Sequence, residues 1–164
     1  MRRLVPVLLG LIALPAWSAG RVELTTRVPG VVEEVMVAAG QHVKKGDVLV
    51  RLNTVVYEAR VKEAQAEVER SRVDEEDARK DRDRAEELYK RTVSSTTELD
   101  TARLKHARAK AELMAADAHL TIAQKNLADA VLRAPFNGVV AERPAEPGMV
   151  TTECQSRTLI ILSR

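Results

Sequence analysis

Aromatic side chains are almost missing from this chain: one Trp, two Tyr and one Phe make up 2% of 164 residues. Trp17 also stands in a segment expected to be removed. A deep ring-lined pocket, the usual form of a small-molecule site, is not expected. Cys154 is the single cysteine, which excludes an internal disulfide and a thiolate metal cluster. The three histidines, His42, His106 and His119, are scattered, and the last two lack the four-residue spacing that sets two ligands on one helix face. Nucleophile, base and oxyanion donors nowhere converge, so no catalytic residue, cofactor or metal is assigned and the chain is read as a non-enzyme. Met36, His42 and Met149 would make a soft-metal contact only if folding joined their distant segments.

Long apolar runs are missing too. Leu4 to Leu14 contains Pro6, is followed by Pro15, and falls short of the roughly 20 residues that span a bilayer. With Arg2 and Arg3 before it and the small-x-small pattern Ala16-Trp17-Ser18 after it, residues 1–18 read as a signal peptide cleaved after Ser18, delivering the chain to the periplasm. Losing Arg2 and Arg3 leaves 24 basic residues against 24 acidic ones, which removes the electrostatic case for nucleic-acid binding.

What the chain does contain is charge, 30% of residues, concentrated in mixed-sign runs between Glu58 and Lys110 as on a solvated helical rod. Two Gly- and Val-rich segments flank it and repeat each other. Val28-Pro29-Gly30-Val31-Val32 corresponds to Pro135-Phe136-Asn137-Gly138-Val139-Val140, and Gly40 follows Gly30 at the offset by which Gly148 follows Gly138. Each segment reads as short strands with period-two apolar positions and glycine turns, too small to fold alone. Face to face they are expected to bury Val31, Val35, Val43, Leu49 and Leu52 against Val139, Val150, Leu159 and Ile161.

Between them a helical pattern runs from about Val55 to Thr92 and from about Ser95 to Leu132. In the second arm Leu99, Ala102, His106, Ala109, Leu113, Ala116, Leu120, Ala123, Leu127 and Ala130 alternate three and four residues apart, a coiled-coil seam with one polar position. The first arm offers Val61, Ala64, Val68, Ala78, Ala85 and Tyr89, but Glu75 and Arg82 fall on the same stripe and predict a loosely packed middle. Ser95-Thr96-Thr97-Glu98 is a capping box that starts the second helix. Pro135 returns the chain to the sheet. The expected organisation is a β domain from residues 19–53 plus 133–164 and a helical hairpin over 54–132. The class is α+β: a split lipoyl/biotinyl-like β-sandwich with an inserted long antiparallel α-helical coiled-coil hairpin.

These residues resemble a known family, the HlyD-type periplasmic adaptor subunits, or membrane fusion proteins, of tripartite bacterial export systems. The likeness rests on Gly40, Val43, Lys45-Gly46-Asp47 and Leu49 in the first half, and on Arg133-Ala134-Pro135-Phe136-Asn137-Gly138-Val139-Val140 with Glu146-Pro147-Gly148 in the second. The resemblance implies efflux function by assembly: a TolC-like outer-membrane channel and an inner-membrane transporter (RND or ABC type) as partners, and self-association into a ring. It also implies that Arg84, Leu88 and Ser95, which stand at the family's hairpin-tip spacing, meet the channel; Ser94 departs from the aliphatic residue usual there. Family members add a β-barrel and a membrane-proximal domain beyond this region, so the expectation is a short form, either a minimal adaptor served by another subunit or a truncated relative. The other readings are a structural coiled-coil envelope protein without an export role, and a lipoyl-type carrier, for which Lys44 and Lys45 are badly placed.

Overall fold

The computed structural model describes residues 20–91, 95–152 and 157–164; the signal segment, Ser94 and Cys154 fall outside them. The first half supplies β1 (Arg21–Leu24), β2 (Gly30–Val35), β3 (His42–Val43) and β4 (Val48–Leu52). Two helices follow, α1 (Val55–Lys90) and α2 (Thr96–Asp129), and the second half supplies β5 (Val131–Arg133), β6 (Gly138–Glu142), β7 (Val150–Thr151) and β8 (Ile160–Ser163).

The strands form two four-stranded sheets, β1-β8-β6-β3 and β5-β4-β2-β7. Each takes two strands from each half, so neither half has a sheet of its own. Matching β1 to β5, β8 to β4, β6 to β2 and β3 to β7 turns one order into the other, which is the sequence repeat expressed in space. The pairing is reciprocal down to single hydrogen bonds: Gly40 N–H donates to the Val140 carbonyl at 2.8 Å, and Gly148 N–H to the Val32 carbonyl at 2.8 Å. Gly40 and Gly148 hold matching positive φ values of 83° and 86°, open to glycine at little cost. Gly138 is required for a different reason, since a Cβ there would overlap the carbonyl oxygen of Ser163 on β8.

The motifs behind the family likeness are direct partners. The Lys44–Asp47 turn is closed by Asp47 Oδ2, which accepts from Lys44 N–H at 2.7 Å. Arg133 donates to the Gly46 carbonyl at 3.0 Å, Asn137 Oδ1 accepts from Lys45 N–H at 2.7 Å, and Gly46 N–H donates to the Ala134 carbonyl at 2.8 Å. The turn is thus tied down by the second half.

The core corrects part of the expected list. Val43, Leu49, Leu52 and Leu159 are buried, but Val31 and Val150 are 45% and 56% exposed, and Val35, Val139 and Ile161 are half-buried. Val32, Val50, Val140, Ile160 and Leu162 fill the interior instead. Val31 and Val150 face each other across β2 and β7 on the outer side, and β2 shifts register between Val32 and Glu34. A one-residue error in phase sends every side chain of a strand to the opposite face.

The hairpin also ends sooner than its periodicity indicates. Val131 and Leu132, assigned above to the helix, belong to β5, which pairs with β4 through Leu132 opposite Val50. Ala130, the last expected seam residue, lies in the β core, where its carbonyl accepts from Leu52 N–H. The backbone before Pro135 is biased to extended geometry, and an open sheet edge stands ready to receive it. With 36 residues, α1 carries its tip about 54 Å from the β body.

Candidate docking tip and the seam that carries it

The tip is built on a seam that the structure bears out almost residue for residue in α2. Leu99, Ala109 and Ala116 are buried, and Ala102, His106, Leu113, Leu120, Ala123 and Leu127 are half-buried, while nearly every other α2 residue is exposed. In α1, Val68, Ser71 and Ala78 are buried on the facing stripe. Tyr89 departs from expectation: it is 41% exposed, one residue before the end of α1.

Glu75 and Arg82, read from sequence as a weak stretch, are instead joined to the polar seam position of α2. His106 Nε2 lies 2.9 Å from Glu75 Oε1, and His106 Nδ1 lies 3.2 Å from Arg82 Nη1. Arginine has only donors to offer, so Nδ1 accepts, and the ring proton sits on Nε2 and points at Glu75. The next residue, Lys105, donates to Asp81 Oδ2 at 2.6 Å and stands 3.8 Å from Asp77. Lys105 and His106 together form a clasp across the two helices. Its second component follows from neighbours in sequence on α2, but their partners on α1 are 24 to 31 residues away, and only the hairpin register reveals them.

Lys105 beside Asp81, by its hydrogen bond first and its charge second, holds that carboxyl below its ordinary 3.8, and Asp81 raises the Lys105 ammonium above its ordinary 10.5. A carboxyl with a lowered pKa stabilises the fold above its unfolded pKa and loses that contribution as pH falls through the folded value. A raised ammonium contributes fully below its unfolded pKa and loses this as pH rises through the folded value. The stability difference between the native chain and Lys105→Met is therefore expected to be flat from about pH 4 to 10 and to shrink outside that window. The pair is solvated, so the difference is small. Thermal midpoints of both proteins across pH are the check; a difference that persisted at pH 2 would contradict this role for the pair.

At the tip, Arg84 and Leu88 stand one turn apart on the same face of α1. Arg84 pairs with Asp81 at 3.1 Å and leaves most of its side chain in solvent, and Leu88 is 46% exposed. Together with Asp83, Glu87 and Arg91 they line a shallow open groove of about 430 Å³. Ser95 sits on the other helix. Its Oγ accepts from Glu98 N–H at 3.3 Å, and Glu98 Oε2 accepts from Ser95 N–H at 3.2 Å, so the expected capping box is formed. No hydrogen bond or ion pair joins Ser95 to Arg84 or Leu88 among the described residues. Ser95→Ala is expected to cost about 1 kcal/mol and fray the first turn of α2, read as a lower thermal midpoint with β content unchanged; an unaltered midpoint would rule out the cap as a stabilising element.

Met36 and Met149 flank the sheet containing β2 and β7, whereas His42 lies on β3 in the other sheet. Among the described residues no group of three or more His, Cys, Asp or Glu is arranged to hold a metal ion. No helix of the described residues is long and apolar enough to cross a membrane.

The architecture of two half-units closing into one β body, with a hairpin between them, is matched by sequence: the CzcB-like, barrel-sandwich hybrid domain aligns with residues 21–160. The chain belongs to that family. Among relatives, the efflux pump periplasmic linker BepD of Brucella suis is 30% identical over 139 residues, covering 84% of this chain and 35% of the relative. The multidrug resistance protein MdtA of Yersinia pestis is 25% identical over 147 residues, covering 90% and 33%. The chain therefore spans about a third of the length of the curated relatives it matches. In solved structures the same fold occurs in the membrane fusion protein Spr0693 of Streptococcus pneumoniae, with TM-score 0.68, 18% identity and coverage of 89% and 60%. A MacA-MexA chimera carrying the Pseudomonas aeruginosa MexA α-hairpin gives TM-score 0.59, 25% identity and coverage of 88% and 46%. The adaptor resemblance read from the half-motifs, and the β body with an inserted helical hairpin, both stand.

Proposed function

We propose that this chain is a periplasmic adaptor that links an inner-membrane exporter to a TolC-like outer-membrane channel in efflux and acts by assembly rather than chemistry. The observation that carries the reading is a hairpin about 54 Å long, rooted in a closed two-sheet body, whose tip offers Arg84 and Leu88 on one exposed face. The names of its relatives, a periplasmic linker of an efflux pump and a multidrug resistance protein, support the same role. Residues 1–18 serve as the export signal that brings the chain to the periplasm. Several copies would form a ring with their tips presented together, so modest contacts repeated around the ring hold the channel.

In this reading Arg84 and Leu88 contact the helical ends of the channel, and Ser95 keeps the facing helix start in place. Arg84→Asp reverses the charge at the groove and is expected to weaken channel binding about tenfold or more, with the helical circular dichroism unchanged. Binding of purified native and variant chains to a reconstituted outer-membrane channel, at matched oligomeric state, is the measurement. Equal affinities would remove Arg84 from the docking surface. Failure of the native chain to bring down any channel or transporter from cross-linked cells would favour an envelope scaffold instead.

A further inference from the structure

The stretch between β1 and β2, residues 25–29, passes over the root of the hairpin, where α1 leaves the β body. Tyr57, in the first turn of α1, is buried and donates its hydroxyl to the Pro29 carbonyl, which pins the stretch to the helix. Beside this pin lies an open hollow of about 430 Å³, a size that accommodates a small molecule. Its walls come from three parts of the chain: the crossing stretch with the start of β2, the start of α1, and Asn126 near the end of α2.

The lining is basic and apolar, and among the described residues no carboxylate contributes to it. Arg27 and Arg60 both line the hollow, and neither makes an ion pair among the described residues. Arg60 has only the Tyr57 ring, its guanidinium carbon standing 5.9 Å from the ring centre. Elsewhere on the hairpin Arg70, Arg72, Arg84 and Arg103 each hold a carboxylate three residues away. Around Arg60 that supply fails: Val56 and Tyr57 precede it by four and three residues, Glu58 is taken by the Thr54 hydroxyl at 2.7 Å, and Glu63 stands outside the lining. Beside the two cations Val31 and Val56 are 45% and 57% exposed. The guanidinium groups lack an anion there, and the valines lack a cover.

We propose that this hollow binds a small anionic amphiphile, its phosphate, sulfonate or carboxylate head held by Arg27 and Arg60 and its aliphatic body laid against Val31 and Val56. A guanidinium offers a planar fork of donors that fits such a head in bidentate fashion, and it gives up its hydration more readily than an ammonium does. A second hollow, of about 380 Å³ and lying toward β5, also has Arg27 in its wall. It contains Asp129 as well, and its other arginine, Arg133, already donates to the Gly46 carbonyl. A carboxylate in the wall repels an anion, so the head group belongs to the first hollow. The ligand touches the crossing stretch, α1 and α2 at once and so fixes the hairpin root against the β body. Because only the folded chain assembles these walls, binding raises thermal stability by mass action. The proposal does not depend on channel docking, whose residues lie at the far end of the hairpin.

The test is calorimetric titration of the full chain with octyl phosphate, kept below its micelle concentration. Saturable binding of one molecule per chain, with a raised thermal midpoint, is the expected result. Arg27→Gln and Arg60→Gln are each expected to weaken it about tenfold, with circular dichroism unchanged. Inorganic phosphate and octyltrimethylammonium, which keep only the head charge or only the tail, are expected to bind far more weakly. Native affinity in the double variant would overturn the site, as would the absence of any heat or midpoint shift. Equal binding of octyltrimethylammonium would reduce it to an apolar patch, and equal binding of inorganic phosphate would remove the apolar wall from it; either overturns the proposal. Vesicles of phosphatidylglycerol and of phosphatidylcholine separate the two sources of such a head group. Co-sedimentation with the first alone, abolished by Arg60→Gln, supports the site with a lipid as its ligand; octyl phosphate binding without co-sedimentation supports it with a free amphiphile.

Discussion

Leu162→Ala is expected to destabilise the β body by about 2–5 kcal/mol, the range for removing a large buried aliphatic side chain and leaving a cavity. Leu162 is fully buried on β8, the strand that holds β1 on one side and β6 on the other. It is paired with Val22 across β1 and with Val140 across β6, so its loss is felt by strands from both halves of the chain. Two small half-units give few alternative contacts into which the cavity can collapse, which argues for the upper part of the range. Chemical denaturation monitored by circular dichroism measures the shift. Hydrogen exchange should show the amides of Val22 and Val140 losing protection before those of the α2 seam. A denaturation midpoint equal to that of the native chain would mean that β8 does not close the body.

His106→Leu is the second large effect, and its sign depends on what is left behind. The replacement fills a seam position with a good helix former, but it strips Glu75 and Arg82 of their partner on α2. His106 and Glu75 have side chains only 15% and 20% exposed, so the abandoned carboxylate is poorly placed to regain water. Arg82 fares better because it also holds Asp83, with Nε at 3.0 Å from Oδ1. A cost of about 1–3 kcal/mol is expected for the single change, toward the lower end because Arg82 keeps a partner. The triple change Glu75→Leu, Arg82→Leu and His106→Leu, which replaces the whole cluster with apolar side chains, is expected to match or exceed native stability. That contrast separates a polar cluster kept for register from one that stabilises outright. Alanine-rich helices slide past each other easily, and a polar level in the seam is what allows only one alignment. If the triple variant were much less stable than the single one, the clasp would be a net source of stability and not a register device.

Most of the hairpin could be read from the sequence because a helix seam is a local pattern. The positions from Leu99 to Leu127 that alternate in threes and fours are the ones that turn inward, and the capping box at Ser95 and Glu98 forms as its spacing implies. The clasp was half visible: Glu75 and Arg82 stood out as polar residues on an apolar stripe, and His106 as a polar break. Their union depends on which turn of α1 lies beside which turn of α2, a relation no local pattern contains.

The β body was legible in outline and not in detail. The repeat of glycines, with Gly30 and Gly138 and then Gly40 and Gly148, announced two related half-units, and Gly40 and Gly148 share a positive φ that few other residues adopt. The identity of the buried face was not announced. Val31 and Val32 are chemically alike, and the choice between them was made by the register shift in β2 and by the outward pairing of Val31 with Val150.

Period, cap and repeat are properties of neighbouring residues, and through them the chain specified a two-helix rod inserted into a split β unit. Partnership across distance was left to folding. The exchange of strands between the two sheets, the transfer of Val131 and Leu132 from helix to strand, and the meeting of Lys105 and His106 with α1 all depend on surfaces that exist only after both halves have closed. The physical reason is that a side chain's direction along a helix follows from its own backbone, whereas the face a short strand buries is chosen by whatever packs against it.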